Sequence, residues 1–209
     1  MIGLLGGTFD PVHFGHLRSA LDCLQALDLH EVRFIPLNVA VHRPQPVAPA
    51  SLRLAMLEAA IASQPGLVAD TRELARSGGS FSHDTLVSLR SELGGVEPLC
   101  LLIGRDAFEG FLDWYRPLEI LDLAHLVVMH RPGSVDGLSP GLEDLLRRRG
   151  CADPGVLRDS PGGRILFQPV TQMDVSSTRI RQLIRRGLSP RYLLPDPVLA
   201  LCEREGLYR

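Results

Sequence analysis

The 209-residue sequence has few aromatic residues and few cysteines, and it lacks any long apolar run. A membrane-spanning helix needs about 18 or more consecutive apolar residues, and the first residues also lack the basic region and the length of a signal peptide. We therefore expect a cytoplasmic protein with no membrane partner. The four cysteines are widely spaced and form no Cys-x-x-Cys pair, so we expect reduced structural thiols instead of a zinc knuckle or a redox pair.

An excess of positive charge is also missing, since the formal net charge is -2. That balance argues against a general nucleic-acid binder, although a few local arginines would suffice for a small anionic substrate. The chain is 45% hydrophobic and 22% charged, as is ordinary for a globular protein. Its length predicts a single domain over residues 1–209, with residues from about 170 to 209 as a C-terminal helical part.

Short apolar runs alternate with segments of helical periodicity along the chain. The strand-like runs cover residues 2–5, 32–37, 67–69, 99–103, 126–129 and 165–167. The predicted helices cover residues 17–27, 51–61, 84–93, 142–149, 176–186 and 197–205, and residues 38–50 and most of 132–163 look irregular. This alternation predicts an α/β fold with a Rossmann-like, doubly wound parallel sheet and a small C-terminal helical extension. Ligands should then bind at the carboxyl ends of the strands.

Residues 6–16 join the first strand to the first helix with the sequence Gly-Gly-Thr-Phe-Asp-Pro-Val-His-Phe-Gly-His. The paired glycines let backbone N–H groups approach a phosphate, and the helix start adds partial positive charge. His13 and His16 are three apart around a glycine, so both rings can point into one anion site. Two alternatives remain: one histidine caps the helix while the other packs on the surface, or the two bind a metal. Zinc sites usually need a third ligand, and none stands at an obvious matching position.

This segment resembles the signature of the HxGH nucleotidyltransferase superfamily, and its extended form is similar to that of the bacterial nicotinate-nucleotide adenylyltransferase family. The resemblance implies that His13 and His16 bind the phosphates of ATP and stabilise charge at the α-phosphate during transfer. It also places the loop in the phosphate site, through the four residues Gly6, Gly7, Thr8 and Phe9.

A second element lies at residues 175–181, Val-Ser-Ser-Thr-Arg-Ile-Arg. Hydroxyl and N–H groups at a helix start suit a phosphate, and an arginine one turn later can pair with it, although such a sequence alone is most often a plain N-cap. It is similar to the family's Ser-Ser-Thr-x-x-Arg element. The resemblance implies that Ser177, Thr178 and Arg181 hold the β- and γ-phosphates, with Arg181 among the catalytic residues.

The middle of the chain carries the expectations about the acceptor. Residues 80–86, Ser-Phe-Ser-His-Asp-Thr-Leu, could be an ordinary helix cap, but they resemble the family's segment ending in Asp-Thr-Leu. The resemblance implies that backbone amides around Phe81, Ser82 and His83 receive the nicotinate carboxylate. Ser82 stands where the family more usually has threonine, a mild change because the inferred contact is mainly with the backbone.

Residues 103–106 and 111–116 resemble the family's Gly-x-Asp and tryptophan-containing segments. The resemblance implies that Asp106 contacts a ribose or a nearby polar group, that Trp114 stacks on the pyridine ring, and that the Tyr115 backbone helps to bind the carboxylate. A lone tryptophan is, by itself, more often a core residue. Arg131, after the strand at 126–129, corresponds to a position that could reach the mononucleotide phosphate.

One departure from the family lies after the second strand, where Pro-Pro-His-Lys is common and this chain has Ala-Val-His-Arg-Pro at residues 40–44. His42 is retained and Arg43 keeps the positive charge, so both are expected at the ATP phosphates. A guanidinium differs from an ammonium in geometry, which leaves the contact of this loop open.

Taken over nearly the whole chain, the resemblance implies an enzyme of NAD biosynthesis that adenylylates nicotinate mononucleotide with ATP by direct in-line transfer. Mg²⁺ would bridge phosphate oxygens without dedicated protein ligands. Two alternatives remain open: another enzyme of the superfamily, such as a pantetheine-phosphate adenylyltransferase or a cytidylyltransferase, and a nucleotide-binding sensor without turnover. The segments around Trp114 and Asp84 argue against the first, and the two histidines with Arg181 argue against the second. The sequence predicts no oligomeric state.

Overall fold

A buried strand, a glycine-containing loop and a helix open the chain, as the apolar pattern predicts. The structure is a computed structural model that describes residues 1–40, 44–130 and 137–209. Strand β1 (Ile2–Gly7), helix α1 (Phe14–Ala26) and strand β2 (Glu31–Pro36) form a parallel βαβ unit, in which Ile2 pairs with Glu31 and Gly7 with Pro36. The loop at residues 8–13 therefore lies at the carboxyl end of β1.

The later elements keep the alternation of helix and strand. They are α2 (Ala50–Ile61), β3 (Leu67–Ala69), α3 (Arg72–Ala75), α4 (Ser82–Leu93), β4 (Leu99–Gly104), α5 (Arg105–Glu109), α6 (Pro117–Leu123), β5 (His125–His130), α7 (Pro140–Arg149), β6 (Gly150–Cys151), β7 (Ile165–Pro169), α8 (Ser177–Arg185) and α9 (Asp196–Arg204), with 3₁₀ turns at Phe111–Asp113 and Pro154–Arg158.

Within the described residues, seven strands form one parallel sheet in the order β3-β2-β1-β4-β5-β7-β6. This confirms the predicted doubly wound α/β fold. The chain moves outward from β1 to β3 and then returns to pair β4 with the other side of β1. Loops that leave the carboxyl ends of β1 and β4 diverge at this point, and such a divergence opens a crevice for ligands.

Both faces of the sheet are covered by helices, because successive strand residues point to opposite sides. One face buries Val32, Phe34 and Leu102 under α1, α2, α8 and α9. The other face buries Leu4 and Leu101 under α4, α6 and α7. The two C-terminal helices thus contribute to the same apolar layer as α1, which sets the start of α8 close to the β1–α1 loop.

Several short elements were not predicted. Helices α3, α5 and α6 and strand β6 have four, five, seven and two residues, too few for a period to stand out. Helix α2 begins at Ala50 after Pro49, one residue before the predicted Ser51. All four cysteines are free, as expected. Among the described residues no helix combines the length and the apolar character needed to cross a bilayer.

Candidate active site

A cleft of about 760 Å³ lies where β1 and β4 diverge, at the carboxyl ends of the central strands. Its walls come from the β1–α1 loop, from residues 44–47, from Gly104 and Met129 at the ends of β4 and β5, and from the first turn of α8. A larger cavity of about 990 Å³ lies beside α1 and residues 169–174, but it includes neither the glycine loop nor the histidines. The cleft is therefore the candidate active site.

The rings of His13 and His16 stack at the mouth of α1, with centroids 3.7 Å apart and planes inclined by 24°. The His13 backbone N–H donates to Nδ1 of His16 at 3.3 Å. Since that nitrogen accepts, a neutral His16 carries its proton on Nε2 and can donate from there. Nδ1 of His13 is buried and has no hydrogen-bond partner among the described residues, although buried polar atoms are nearly always paired. His13 is the N-cap residue of α1, so this atom lies at the start of the helix.

Burial lowers the pKa of His13 to about 4. Burial, and secondarily the neighbouring His13, hold the pKa of His16 well below its usual value. Both rings are consequently neutral at neutral pH in the free protein. They can donate N–H groups to an anion without first losing an ion pair.

Glycines make this packing possible. A Cβ at Gly15 would lie 3.1 Å from the His13 ring and 3.0 Å from Val175, so any side chain there would press on the histidine. A Cβ at Gly7 would lie 2.9 Å from the Phe9 ring. Phe9 in turn meets His16 edge-on, with centroids 5.2 Å apart. The glycines thus let the chain fold tightly against the two rings, and Gly6, whose Cβ would meet nothing, leaves backbone open to the cleft.

The first turns of α8 face the same cleft, and three of their side chains form hydrogen bonds there. The Ser177 hydroxyl donates to the Pro11 carbonyl at 2.9 Å, which ties α8 to the β1–α1 loop. Arg181 donates through Nη1 to the Asp10 carbonyl at 2.7 Å and through Nη2 to the Thr178 hydroxyl at 3.3 Å. Thr178 therefore accepts from Arg181 and keeps its own proton for a ligand. Two helix starts, those of α1 and α8, converge on one cavity, an arrangement that favours an anion.

Another group of side chains gathers at the start of α4. The Phe81 and Tyr115 rings lie 5.0 Å apart, and His83 meets Tyr115 edge-on at 5.6 Å. His83 also lies between two carboxylates, with Nε2 3.1 Å from Glu119 and Nδ1 3.0 Å from Asp84. The N-cap position of α4 is Phe81, which offers no side-chain cap, so the first N–H groups of this helix lack the usual side-chain acceptor.

Trp114 follows the 3₁₀ turn and is partly buried against Phe111, with ring centroids 5.6 Å apart. Asp106 lies on α5 and lines the cleft itself. The end of β4 therefore leads from the cleft, through α5 and the 3₁₀ turn, to the aromatic group near α4.

Comparison with known proteins agrees with this geometry. Residues 4–183 match the model of the cytidylyltransferase-like family. A protein of Methylococcus capsulatus named nicotinate-nucleotide adenylyltransferase is 48% identical over 209 residues, covering 100% of this chain and 99% of that one. A protein of the same name from Pseudomonas aeruginosa strain PAO1 is 46% identical over 208 residues, covering 100% and 97%.

The chain belongs to the nicotinate-nucleotide adenylyltransferase family. The fold is also that of a Plasmodium falciparum nicotinic acid mononucleotide adenylyltransferase solved with NaAD, at a TM-score of 0.71 and 14% identity, covering 99% of this chain and 96% of that one. At this low identity the likeness concerns the fold alone.

The structure brings most of the expected phosphate-site residues of this family member together. The cleft is lined by Gly6, Gly7, Thr8, Phe9, His13, His16, Ser177, Thr178 and Arg181. Of the expected acceptor residues, Asp106 lines the cleft, Phe81 and His83 meet Tyr115, Ser82 begins α4, and Trp114 packs on Phe111. His42, Arg43 and Arg131 lie outside the described residues. The ligand contacts of all these residues stay predictions.

Three structurally central residues escaped the sequence analysis. Asp10 is only 3% exposed and accepts hydrogen bonds from three donors. Arg53, 1% exposed, donates to the carbonyls of Thr8 and Leu37 at 2.8 Å each. Tyr208 donates to Asp10. An arginine between Leu52 and Leu54 in α2 was a visible signal for Arg53, whereas nothing local to residue 208 points to a partner 198 positions away.

Proposed function

We propose that this chain transfers the adenylyl group of ATP to nicotinate mononucleotide, releasing pyrophosphate and forming nicotinate adenine dinucleotide in NAD biosynthesis. The observation that carries the proposal is the stacked His13–His16 pair, with an unpartnered buried Nδ1, in one cleft with Arg181 and the start of α8. The names of its full-length relatives support the same activity. Each step of the reaction can be matched to groups in the cleft.

The polyphosphate of ATP finds donors on both sides of the cleft. The starts of α1 and α8 supply backbone N–H groups and partial positive charge. Arg181 supplies a permanent cation whose guanidinium is already oriented by Asp10 and Thr178. These contacts suit the β- and γ-phosphates, which leave as pyrophosphate and must be stabilised as charge collects on them.

At the α-phosphate the chemistry is a displacement in which the protein provides no nucleophile. A phosphate oxygen of nicotinate mononucleotide forms the new bond to the α-phosphorus, and the bond from that phosphorus to the bridging oxygen of pyrophosphate breaks. His16, with its proton on Nε2, donates to an α-phosphate oxygen, and His13 lies against it in the same stack. Such preorganised donors act most strongly on charge that develops in the transition state.

Mg²⁺ is proposed to accompany ATP, where it neutralises phosphate charge and helps to orient the chain of phosphates. A Mg²⁺ ion carried by ATP would keep several waters and would need few protein ligands. In ranges 1–40, 44–130 and 137–209 no three His, Cys, Asp or Glu side chains form a metal-binding group. The Asp10 carboxylate is occupied by backbone and tyrosine donors, so Asp106 is the cleft carboxylate that a hydrated ion could approach.

The acceptor is proposed to place its nicotinate carboxylate at the start of α4. Its two oxygens would accept from N–H groups of Ser82 and His83, which the Phe81 N-cap leaves without a side-chain acceptor, and from the Tyr115 backbone. An amide would instead turn an NH₂ donor towards donors. A charged hydrogen bond contributes about 1.5–3 kcal/mol, and an unpaired buried donor costs about 1–3 more, so discrimination of about 10²-fold is expected.

Pyrophosphate release from ATP and Mg²⁺, measured across a panel of acceptors, tests the proposal. Nicotinate mononucleotide should support release, whereas pantetheine phosphate and phosphocholine, the latter with CTP as well as ATP, should not. Release with either of those acceptors would identify a different transferase of the superfamily. A protein that binds ATP and releases pyrophosphate with none of them would be a sensor.

Direct transfer has its own test. With a chiral α-phosphorothioate of ATP, one in-line displacement inverts the configuration at phosphorus. Retention would indicate two displacements through an adenylylated enzyme, with His13 or His16 as the nucleophile.

The proposal also places the reaction in the cytoplasm, where ATP and pyridine mononucleotides are pooled. Fractionation of cells that produce the chain at its native level should recover the adenylyltransferase activity with cytoplasmic markers. Recovery with membranes or an extracytoplasmic fraction would contradict this placement.

A further inference from the structure

Asp10 is a buried carboxylate that binds two distant parts of the chain. It is 3% exposed, and its Oδ2 accepts from the Val47 N–H at 2.7 Å. Its Oδ1 accepts from the Ala48 N–H at 3.1 Å and from the Tyr208 hydroxyl at 2.7 Å. The first two donors belong to the segment that walls the cleft before α2, and the third belongs to the penultimate residue of the chain.

The other side of Asp10 faces the phosphate site. Arg181 donates to the main-chain carbonyl of Asp10 at 2.7 Å, and its Nη1 lies 3.8 Å from Oδ2 of the carboxylate. A negative charge so close to the guanidinium attracts it, and the carbonyl bond sets its direction. The position of Asp10 therefore decides where the cation of the cleft points.

Tyr208 reaches Asp10 because the chain turns back after α9. Gly206 adopts φ +61°, and the Leu207 N–H donates to the Cys202 carbonyl at 2.9 Å. The side chain that follows is 4% exposed, and burial together with the Asp10 carboxylate raises the pKa of Tyr208. The phenol accordingly stays protonated and acts as a donor at every physiological pH.

Packing alone does not require that hydroxyl. Helix α9 is already attached to the core through Val198 and Leu199, and Sγ of Cys202 lies 3.5 Å from Sδ of Met56 on α2. A phenylalanine ring would fill the same space as Tyr208. The phenol oxygen contributes one additional feature, a charge-assisted hydrogen bond to the residue that orients Arg181.

We propose that Tyr208 is a positioning residue of the phosphate cleft: it holds the Asp10 carboxylate, and through it the Val47–Ala48 wall and Arg181, in the arrangement that binds the polyphosphate of ATP. The C-terminal turn is thereby a working part of a site whose other residues lie in the β1–α1 loop and at the starts of α1 and α8. The inference rests on the proposed function only in assigning the cleft to ATP.

The test compares Tyr208→Phe with Tyr192→Phe, the same change at a side chain that is 82% exposed. Calorimetric titration with MgATP, without any acceptor, measures the phosphate site alone. Tyr208→Phe should bind ATP about tenfold more weakly, because Arg181 is no longer held in the orientation that meets the polyphosphate, and Tyr192→Phe should bind as the wild type does. In turnover assays Tyr208→Phe should raise KM for ATP and leave KM for the acceptor unchanged. Wild-type ATP affinity in Tyr208→Phe would overturn the inference.

A double-mutant cycle with Arg181→Ala separates positioning from general destabilisation. If Tyr208 acts through Arg181, Tyr208→Phe should weaken ATP binding much less in the Arg181→Ala background, whereas additive losses would overturn the inference.

Asp10→Asn is the second variant if Tyr208→Phe does not fold. It turns an NH₂ towards the same donors and should also weaken ATP binding; unaltered affinity would count against the inference. Wild-type protein that binds ATP but leaves nicotinate mononucleotide unmodified would refute the proposed function and leave this test intact.

Discussion

The phosphate cleft and the aromatic group at the start of α4 are built in opposite ways. In the cleft, Asp10 and His13 are 3% and 5% exposed, and the Asp10 carboxylate accepts hydrogen bonds from two distant parts of the chain, at Val47 and at Tyr208. At α4, Tyr115 is 44% exposed and contacts the partly buried Phe81 and the buried His83. The cleft is therefore cross-linked from several parts of the chain through Asp10. The aromatic group, in contrast, is formed by the start of α4 and by the residues that follow one 3₁₀ turn.

From this difference we expect the cleft to bind ATP and the aromatic group at α4 to select the acceptor. A rigid cleft suits the triphosphate, whose charge is the same for every enzyme that uses a nucleoside triphosphate, and stabilisation of developing charge depends on fixed donors. The exposed group can vary without disturbing that machinery, so it is the natural place for acceptor choice. Changes in the cleft should lower turnover with every acceptor, and changes at α4 should alter the ratio between acceptors.

The largest expected effect is that of His16→Ala, which removes the Nε2 donor. Loss of a comparable preorganised donor lowers kcat by about 10²–10³, and we expect at least that here with both nicotinate and nicotinamide mononucleotides. Steady-state kinetics with a melting curve for each protein make the measurement, and His30→Ala, at an exposed histidine, is the control. Near-normal kcat in His16→Ala would mean that His16 only caps the helix.

Ser82→Pro should change the choice of acceptor without changing the phosphate cleft. Ser82 is the first residue of α4, where proline is well tolerated, and Phe81 before it has φ -114° and ψ 132°, which proline allows. The change deletes one backbone N–H, so the preference for nicotinate over nicotinamide mononucleotide should fall by about tenfold, the order of one charge-assisted hydrogen bond. Ser82→Ala keeps the N–H and should keep the preference. Equal ratios in the two variants would remove the helix start from acceptor recognition.

Trp114→Ala should lower kcat/KM for both mononucleotides, whereas Ser82→Pro should change the ratio between them. Stacking on an aromatic ring contributes about 1–3 kcal/mol per base in other systems, so kcat/KM should fall by about tenfold for both mononucleotides. Their ratio should hardly change, because the two pyridine rings present a similar face. A loss confined to one of the two acceptors would assign Trp114 a role in selectivity.

The last expected effect concerns the pH dependence of folding stability and not the rate of the reaction. Because the pKa of His13 is lowered to about 4 in the folded state, the unfolded chain binds more protons below about pH 6.5. The contribution of neutral His13 to the free energy of unfolding is therefore fully present above about pH 6.5, and it is lost as the pH falls towards 4. At pH 5 the loss amounts to about 2 kcal/mol. Urea unfolding at pH 7 and pH 5 should show a smaller drop for His13→Asn, whose amide does not titrate and suits the N-cap position of α1; identical drops would contradict the burial of a neutral ring.

The fold was predictable wherever the apolar pattern extended over enough residues. Strand runs such as the one at β4 and the period of α1 located the parallel sheet. Helix α6 has only seven residues and begins at Pro117, and β6 has two, so tertiary packing and not local pattern decides them. No strand order was predicted from the sequence, because the apolar runs do not specify which strands become neighbours in the sheet.

The site was predictable where its chemistry is local in sequence, as in the pair His13 and His16 and the start of α8. The supporting contacts were not, because they join residues far apart: Tyr208 to Asp10, and Arg53 to the carbonyls of Thr8 and Leu37. The stacking of the two rings and the lowered pKa of His13 also depend on burial, which spacing alone does not fix.

A competition experiment tests the central claim most directly. The wild-type protein is given MgATP with equal concentrations of nicotinate and nicotinamide mononucleotides, and both dinucleotides and pyrophosphate are quantified at early times. Nicotinate adenine dinucleotide should exceed the nicotinamide product by about 10²-fold, with one pyrophosphate released for each dinucleotide formed. Equal amounts of the two dinucleotides, or an excess of the nicotinamide product, would contradict the carboxylate site at α4, and the absence of both would contradict adenylyl transfer by this cleft.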